Sequence, residues 1–164
     1  MSGRFDEAIA RFDAAHAEDP EQDGAGAPKE LLYAQRMSAW LEKLAPQASE
    51  SLRLATRCQH IRRWAIPRSD YPEGKVGYLR WRKEESLAHA ALAGEVLEKV
   101  GYDAAAVKRV QSLIKKERIK HDEAKLIDIL HKTWGEMSPQ GHDAALALDM
   151  PRALRAIMHK ALSR

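Results

Sequence analysis

The chain has 164 residues, with 27 Lys and Arg against 24 Asp and Glu, a net charge of +3 and one cysteine. A lone Cys58 excludes an internal disulfide, no apolar run reaches the ~20 residues of a membrane-spanning helix, and MSGRFDEAIARF has no secretory-leader segment. A soluble cytoplasmic protein is expected, forming a single helical domain over residues 1–164, since a chain of this length buries roughly 70% of its unfolded surface.

In chain order, Phe5, Ala8, Ile9, Phe12 and Ala15 recur at helical spacing and predict a first helix from Arg4 to Ala17. Pro20 stops it by disfavouring helical geometry at Asp19. A loop, DPEQDGAGA, follows, and Pro28 suits the first turn of a second helix. Leu32, Met37, Trp40, Leu41 and Leu44 supply that helix with a core face, until Pro46 ends it. Ser49 or Ser51 starts a third, in which Leu54, Cys58, Ile61 and Ala65 share the buried face. Arg53, Arg57, His60 and Trp64 follow the same rhythm about 100° round the helix.

Pro67, Pro72, Gly74 and Gly77 then predict an ordered loop over residues 64–77, and a loop of about a dozen residues in a helical domain is more often functional than not. The fourth helix is expected to start between Gly77 and Leu79 and run to Val100. On it Tyr78, Arg82, Glu85 and His89 step by four, three and four and line one face, while Trp81, Ala88, Leu92 and Val96 line the neighbouring core face. Gly101 caps it. Asp103 is an N-cap for a fifth helix carrying Val107, Val110, Leu113 and Ile114. Apolar spacing resumes at Leu126, Ile127, Ile129, Leu130 and Trp134, and again after Ser138 and Met150. The expectation is an all-α bundle of about seven helices.

The chemistry concentrates between Thr56 and Ala90. Arg57, Arg62, Arg63, Arg68, Lys75, Arg80, Arg82 and Lys83 crowd there, interleaved with Trp64, Tyr71, Tyr78 and Trp81. The arginine fork matches phosphate bidentately, and the aromatics offer surfaces on which a base or sugar stacks. Packing of the loop by cation–π contacts explains the same residues without a ligand. His60 and His89 are candidate metal ligands, but a hydrolytic site needs a third ligand and an open position. Glu84, Glu85, Asp19 or the His121–Asp122 pair is available for that role, and no spacing singles one out. His121 and Asp122 lie in KKERIKHDEAK, a run of charge typical of a solvated helix face. No P-loop, GxGxxG, CxxC pair, HExxH or GxSxG is present.

The segment CQHIRRWAIPRSDYPEGKVGYLRWR, with His89–Ala90 after it, resembles the helical family catalogued as domain of unknown function 4202. The likeness extends to AEDP, to PKELLYAQRMSAWLEKLAP and to KLIDILHKTWGEMSPQGHDAALAL. The family's histidines are similar to those of HD-type metal-dependent phosphohydrolases. The resemblance implies a divalent metal at His60 and His89, and functional roles for Arg62, Arg63, Arg68, Tyr71, Tyr78, Trp81 and Arg82. The sequence departs from the family pattern where Lys120 passes directly to His121, since a further helix with a Glu-Asp pair is expected between them.

Two readings follow. In one, an HD-like phosphohydrolase uses a divalent metal on His60 and His89, and Arg62, Arg63, Arg68 and Arg82 act on a phosphate-bearing substrate, a nucleotide by preference. Trp64, Tyr71, Lys75, Tyr78 and Trp81 complete the binding surface. In the other, a non-catalytic module binds a nucleotide or another anion in the same pocket, the carboxylate ligands having been lost with the absent helix. Non-specific nucleic-acid binding is disfavoured by the shortness of the basic segment. Both readings expect Arg62, Arg63, Arg68 and Arg82 to face one concavity.

Overall fold

The structure is a computed structural model and describes residues 3–117. The helices expected after Lys120, and His121 and Asp122 with them, lie outside the described residues. Five α-helices account for most of what is described: α1 Gly3–His16, α2 Lys29–Leu44, α3 Glu50–Cys58, α4 Gly74–Lys99 and α5 Ala104–Lys115. Two short 3-10 turns, Arg63–Ala65 and Arg68–Asp70, link α3 to α4. The architecture is all-α, and no strand forms among the described residues. No described helix is long and apolar enough to cross a membrane.

Local chemistry accounts for most of the boundaries. Ser49 Oγ accepts the Leu52 amide at 3.2 Å and opens α3, and Asp103 Oδ1 accepts the Ala106 amide at 2.8 Å and opens α5. Gly101, at φ +90°, closes α4 in a Schellman arrangement. Its amide bonds the Glu98 carbonyl at 3.0 Å and the Tyr102 amide bonds that of Leu97 at 3.0 Å. Pro28 has no side chain to cap α2, and the capping comes from upstream. Buried Asp19 accepts the amides of Glu21 and Glu30, each at 2.9 Å.

Two boundaries differ from the sequence reading. The third helix ends at Cys58, beyond which the amides of Ile61 and Arg63 bond the carbonyls of Cys58 and His60, each at 3.0 Å, and Arg62 takes a left-handed conformation, φ 53°, that no α-helix continues through. Leu54, Cys58 and Ile61 are buried as expected, but Ala65, beyond that turn, is exposed. The fourth helix starts at Gly74, three residues early, and its glycines belong to the entry rather than to a break. Gly74 sits at φ +86°, and a Cβ on Gly77 would lie 1.8 Å from the Pro72 carbonyl oxygen. The long loop therefore shrinks to residues 66–73, held by Trp81 Nε1, which donates to the Ile66 carbonyl at 2.8 Å.

Contacts at the helix ends fix their directions. Arg4 on α1 reaches the Gly101 carbonyl, and the Tyr102 hydroxyl donates to Glu50 of α3 at 2.6 Å, so α1 and α3 begin where α4 ends. At the other end Arg57 of α3 pairs bidentately with Asp13 of α1, both bonds 2.7 Å. Gln111 Nε2 bonds the Ala90 carbonyl and Ser86 Oγ the Ile114 carbonyl, so α5 runs back along α4. Helices α1, α3 and α5 thus run one way and α2 and α4 the other. Phe12, Met37, Leu41, Leu54, Ile61, Leu97, Val110 and Leu113 fill the core between them. The ends of α1, α3 and α5 gather beside the start of α2 and the middle of α4, and there the buried side chains turn polar.

Candidate functional site

His60 sits in the turn that ends α3, and His89 sits midway along α4. Their rings converge to 6.1 Å between centroids, at a tilt of 49°. His60 stacks on Tyr33 of α2, 4.6 Å away and nearly parallel, and its Nδ1 lies 3.5 Å from Glu30 Oε2. His89 is 5% exposed and hydrogen-bonded to the Gln59 main chain. Burial, reinforced by the positive charges of Arg63 and Arg82, brings its pKa down to about 4, so the ring is neutral at neutral pH.

One helical turn earlier Glu85 is 2% exposed. Burial holds its carboxyl above the usual range, while Arg63 and Arg82 pull the other way. Arg63 Nε stands 3.5 Å from Glu85 Oε1, an ion pair too long for a hydrogen bond. The four-residue step from Glu85 to His89 belongs to the inward face of α4, which also carries Trp81, Ala93 and Leu97. Ala88, Leu92 and Val96, expected to form the core face, are only half-buried.

A cavity of about 300 Å³ opens beside these residues. Gln59 and His60 line it from the turn after α3, and Arg82, Lys83, Glu85, Ser86 and His89 from α4. Ile114, Lys115, Lys116 and Glu117 line it from the end of α5. Gln59, His60, Glu85 and His89 are buried, whereas Lys83 is exposed and Arg82, Lys115 and Lys116 are half-buried. The cavity therefore has a polar interior and a basic mouth. Lys115 pairs with Glu117 at 3.0 Å, so the mouth is not purely cationic.

The four arginines do not share this space. Arg82 lines the cavity, and Arg63 reaches it only through Glu85. Arg63 and Arg68 line a second cavity of about 270 Å³, together with Asp19, Glu30, Trp64 and Trp81. The His60–Glu30 and Arg63–Glu85 contacts stand between the two cavities, each with one partner in either lining. Arg62 faces outward in an ion pair with Glu18. The Arg68 guanidinium donates to the carbonyls of Tyr71 at 2.9 Å and Pro72 at 3.0 Å, fastening the loop. Tyr71 donates its hydroxyl to Glu84, which also accepts from Arg80. Tyr78 is exposed and tilts onto Trp81, and Lys75 is exposed in the first turn of α4.

The metal expectation meets a similar division. His60 and His89 come together, but no group of three His, Cys, Asp or Glu side chains among the described residues is arranged to hold a metal ion. Asp19 is engaged in capping α2 and Glu84 in its bonds to Tyr71 and Arg80. Glu85 remains near His89, where Arg63 and Arg82 add positive charge that opposes a cation.

The family described as Domain of unknown function (DUF4202) matches residues 6–124 and 118–158. The chain belongs to this family. Every residue of the cavity lies inside the first matched segment. The match passes from one segment to the other over residues 118–124, the stretch that contains the Lys120–His121 junction. No curated protein and no solved structure matches the chain significantly.

Several residues at this end of the bundle are not singled out by the sequence. His16 is fully buried, its Nε2 2.9 Å from the Arg57 carbonyl, and burial lowers its pKa. It extends the stripe of Ala8 and Phe12 by one further step of four, so the periodicity contained it. Gln59 stands next to His60 in the CQHIRRW segment. Glu30 and Tyr33 carry no local signal, because they meet His60 only through the crossing of α2 and α3.

Proposed function

We propose that the protein is an anion-binding module whose ligand is a phosphate-bearing small molecule. The observation that carries this reading is the cavity between α3, α4 and α5. Four cationic side chains, Arg82, Lys83, Lys115 and Lys116, line a recess with buried polar groups at its inner end. Arginine at such a mouth offers a phosphate two parallel hydrogen bonds, and lysines add charge from the sides. His89, neutral and bonded to the Gln59 main chain, orients the ligand by hydrogen bonding and contributes no charge. Buried Cys58, whose thiol is kept protonated by desolvation, is compatible with a reducing cytoplasmic setting.

A second reading, an HD-like phosphohydrolase, draws on one observation of its own. His60 and His89 lie 6.1 Å apart, with Glu30 3.5 Å from His60. A divalent ion bound there would supply Lewis-acid activation of a phosphate ester.

Calorimetric titration of the full chain with inorganic phosphate tests the first reading. Losing one charge-assisted hydrogen bond costs about 1.5–3 kcal/mol, so Arg82→Ala should weaken binding about ten- to a hundredfold. Arg62→Ala, outside the cavity, should change nothing. If Arg82→Ala binds phosphate as tightly as the parent, the proposal is wrong. Stoichiometric metal in protein purified without chelators, lost in both His60→Ala and His89→Ala, would move the balance to the second reading.

A further inference from the structure

The face of α4 that α5 covers continues past the end of α5. Gly94 and Ala90 meet α5 directly: a Cβ on Gly94 would touch Gln111, and Gln111 Nε2 donates to the Ala90 carbonyl at 3.1 Å. Steps of three and four carry the same line on through Leu87, Lys83, Leu79 and Val76. Helix α5 runs out beside Ser86, whose Oγ donates to the Ile114 carbonyl, so it leaves the line open toward the start of α4. Val76 is 83% exposed, Leu79 54% and Leu87 48%. They are three of the four large apolar side chains exposed among the described residues.

Apolar side chains scattered over a surface need no explanation, but a row that prolongs an interface does. Two observations indicate what belongs on it. Helix α5 runs antiparallel to α4, and Glu117, just beyond its end, lines the same cavity as Leu87. The chain therefore continues from the edge of the open row. The family that matches residues 6–124 also matches residues 118–158, so the continuation is part of the same family unit. In its sequence Leu126, Leu130 and Trp134 step by four, and Ile127 stands three before Leu130. The row from Leu87 to Val76 is about 16 Å long at 1.5 Å per residue. The nine steps from Glu117 to Leu126 reach about 13 Å at the same rise, and further if extended.

We propose that residues 118–158 dock on this row, with Leu126, Ile127, Leu130 and Trp134 covering Val76, Leu79 and Leu87. The docked segment prolongs the α4–α5 interface to the start of α4 and removes its hydrocarbon from water. The partner of the exposed face is thus this chain's own continuation, not a second copy or another protein. Docking there does not depend on what the cavity binds.

Thiol labelling of the full chain with a maleimide tests this. Cys58 is buried, and burial raises its thiol pKa, so it stays unlabelled while the core is folded and reports on folding in every variant. Leu79→Cys should react at least about tenfold more slowly than Glu95→Cys, which is exposed on another face of α4. Val76→Cys is the second reporter if Leu79→Cys does not fold. The protection should be independent of protein concentration, and adding Leu130→Ser with Trp134→Ser should remove it. Leu130→Ser alone stands in if that pair unfolds the core. A thiol at position 79 or 76 that reacts as fast as that of Glu95→Cys overturns the docking. Protection that fades on dilution assigns the row to a second copy, and protection that survives the serine substitutions takes it away from this segment. Either result overturns the proposal.

Discussion

One stripe of α4 faces inward along the helix, and its two halves differ in chemistry. From Ala90 to Leu97 it is Ala90, Ala93, Gly94 and Leu97, closed against α5 so tightly that a Cβ on Gly94 would come within 2.4 Å of Gln111 Nε2. From Trp81 to His89 it buries Trp81, Glu85 and His89. The apolar half does what a core does, removing hydrocarbon from water at roughly 25 cal/mol per Å². The polar half buries ionisable groups whose charged forms the interior disfavours, as the depressed pKa of His89 and the raised one of Glu85 record. Stability alone would favour apolar side chains in both halves. On the proposed anion-binding reading, one half of the helix serves chiefly folding and the other recognition.

Three experiments sharpen or break that division. The largest effect belongs to the apolar half. Leu97, fully buried, should cost about 2–5 kcal/mol of unfolding free energy on replacement by Ala, measured by urea denaturation. Phosphate affinity of the folded Leu97→Ala variant should match the parent, and a parallel loss of binding would show that the halves are not separate.

The next effect is acid destabilisation through the polar half. Native His89 titrates near pH 4 and an unfolded histidine near 6.5, so between those values the unfolded chain holds a proton that the native ring refuses. The stability present above about pH 6.5 is lost as pH falls through that window, by up to about 3 kcal/mol, with buried His16 acting in the same direction. His89→Gln should flatten the profile between pH 6.5 and 4. An unchanged slope in that variant would locate the acid sensitivity elsewhere.

The smallest effect concerns Arg68, which serves the loop rather than the cavity. Arg68→Lys keeps the charge but loses the fork that holds the Tyr71 and Pro72 carbonyls, and should cost about 1 kcal/mol of stability. Phosphate binding should stay within about twofold of the parent, since 1.4 kcal/mol would be needed for a tenfold change. Weaker binding on that substitution would return Arg68 to the site.

The sequence by itself determined the helices and most of their ends. Periodicity and caps such as Ser49, Asp103 and Gly101 act through bonds three to five residues away, so a short window contains their cause. The same locality made half of the candidate site legible: Arg82, Glu85 and His89 follow from steps of three and four along a single helix. Tertiary structure alone decided the path of the chain after α3, where left-handed Arg62 pairs with Glu18 in the turn that follows α1. It also set α4 against Pro72, brought Glu30 and Tyr33 to His60, and divided the arginines between two cavities and the surface. A guanidinium has five donors and a long flexible stem, so its partner is whichever acceptor the fold carries within reach. For Arg62 that acceptor is the Glu18 carboxylate of the turn after α1, for Arg68 a pair of loop carbonyls, and for Arg63 buried Glu85.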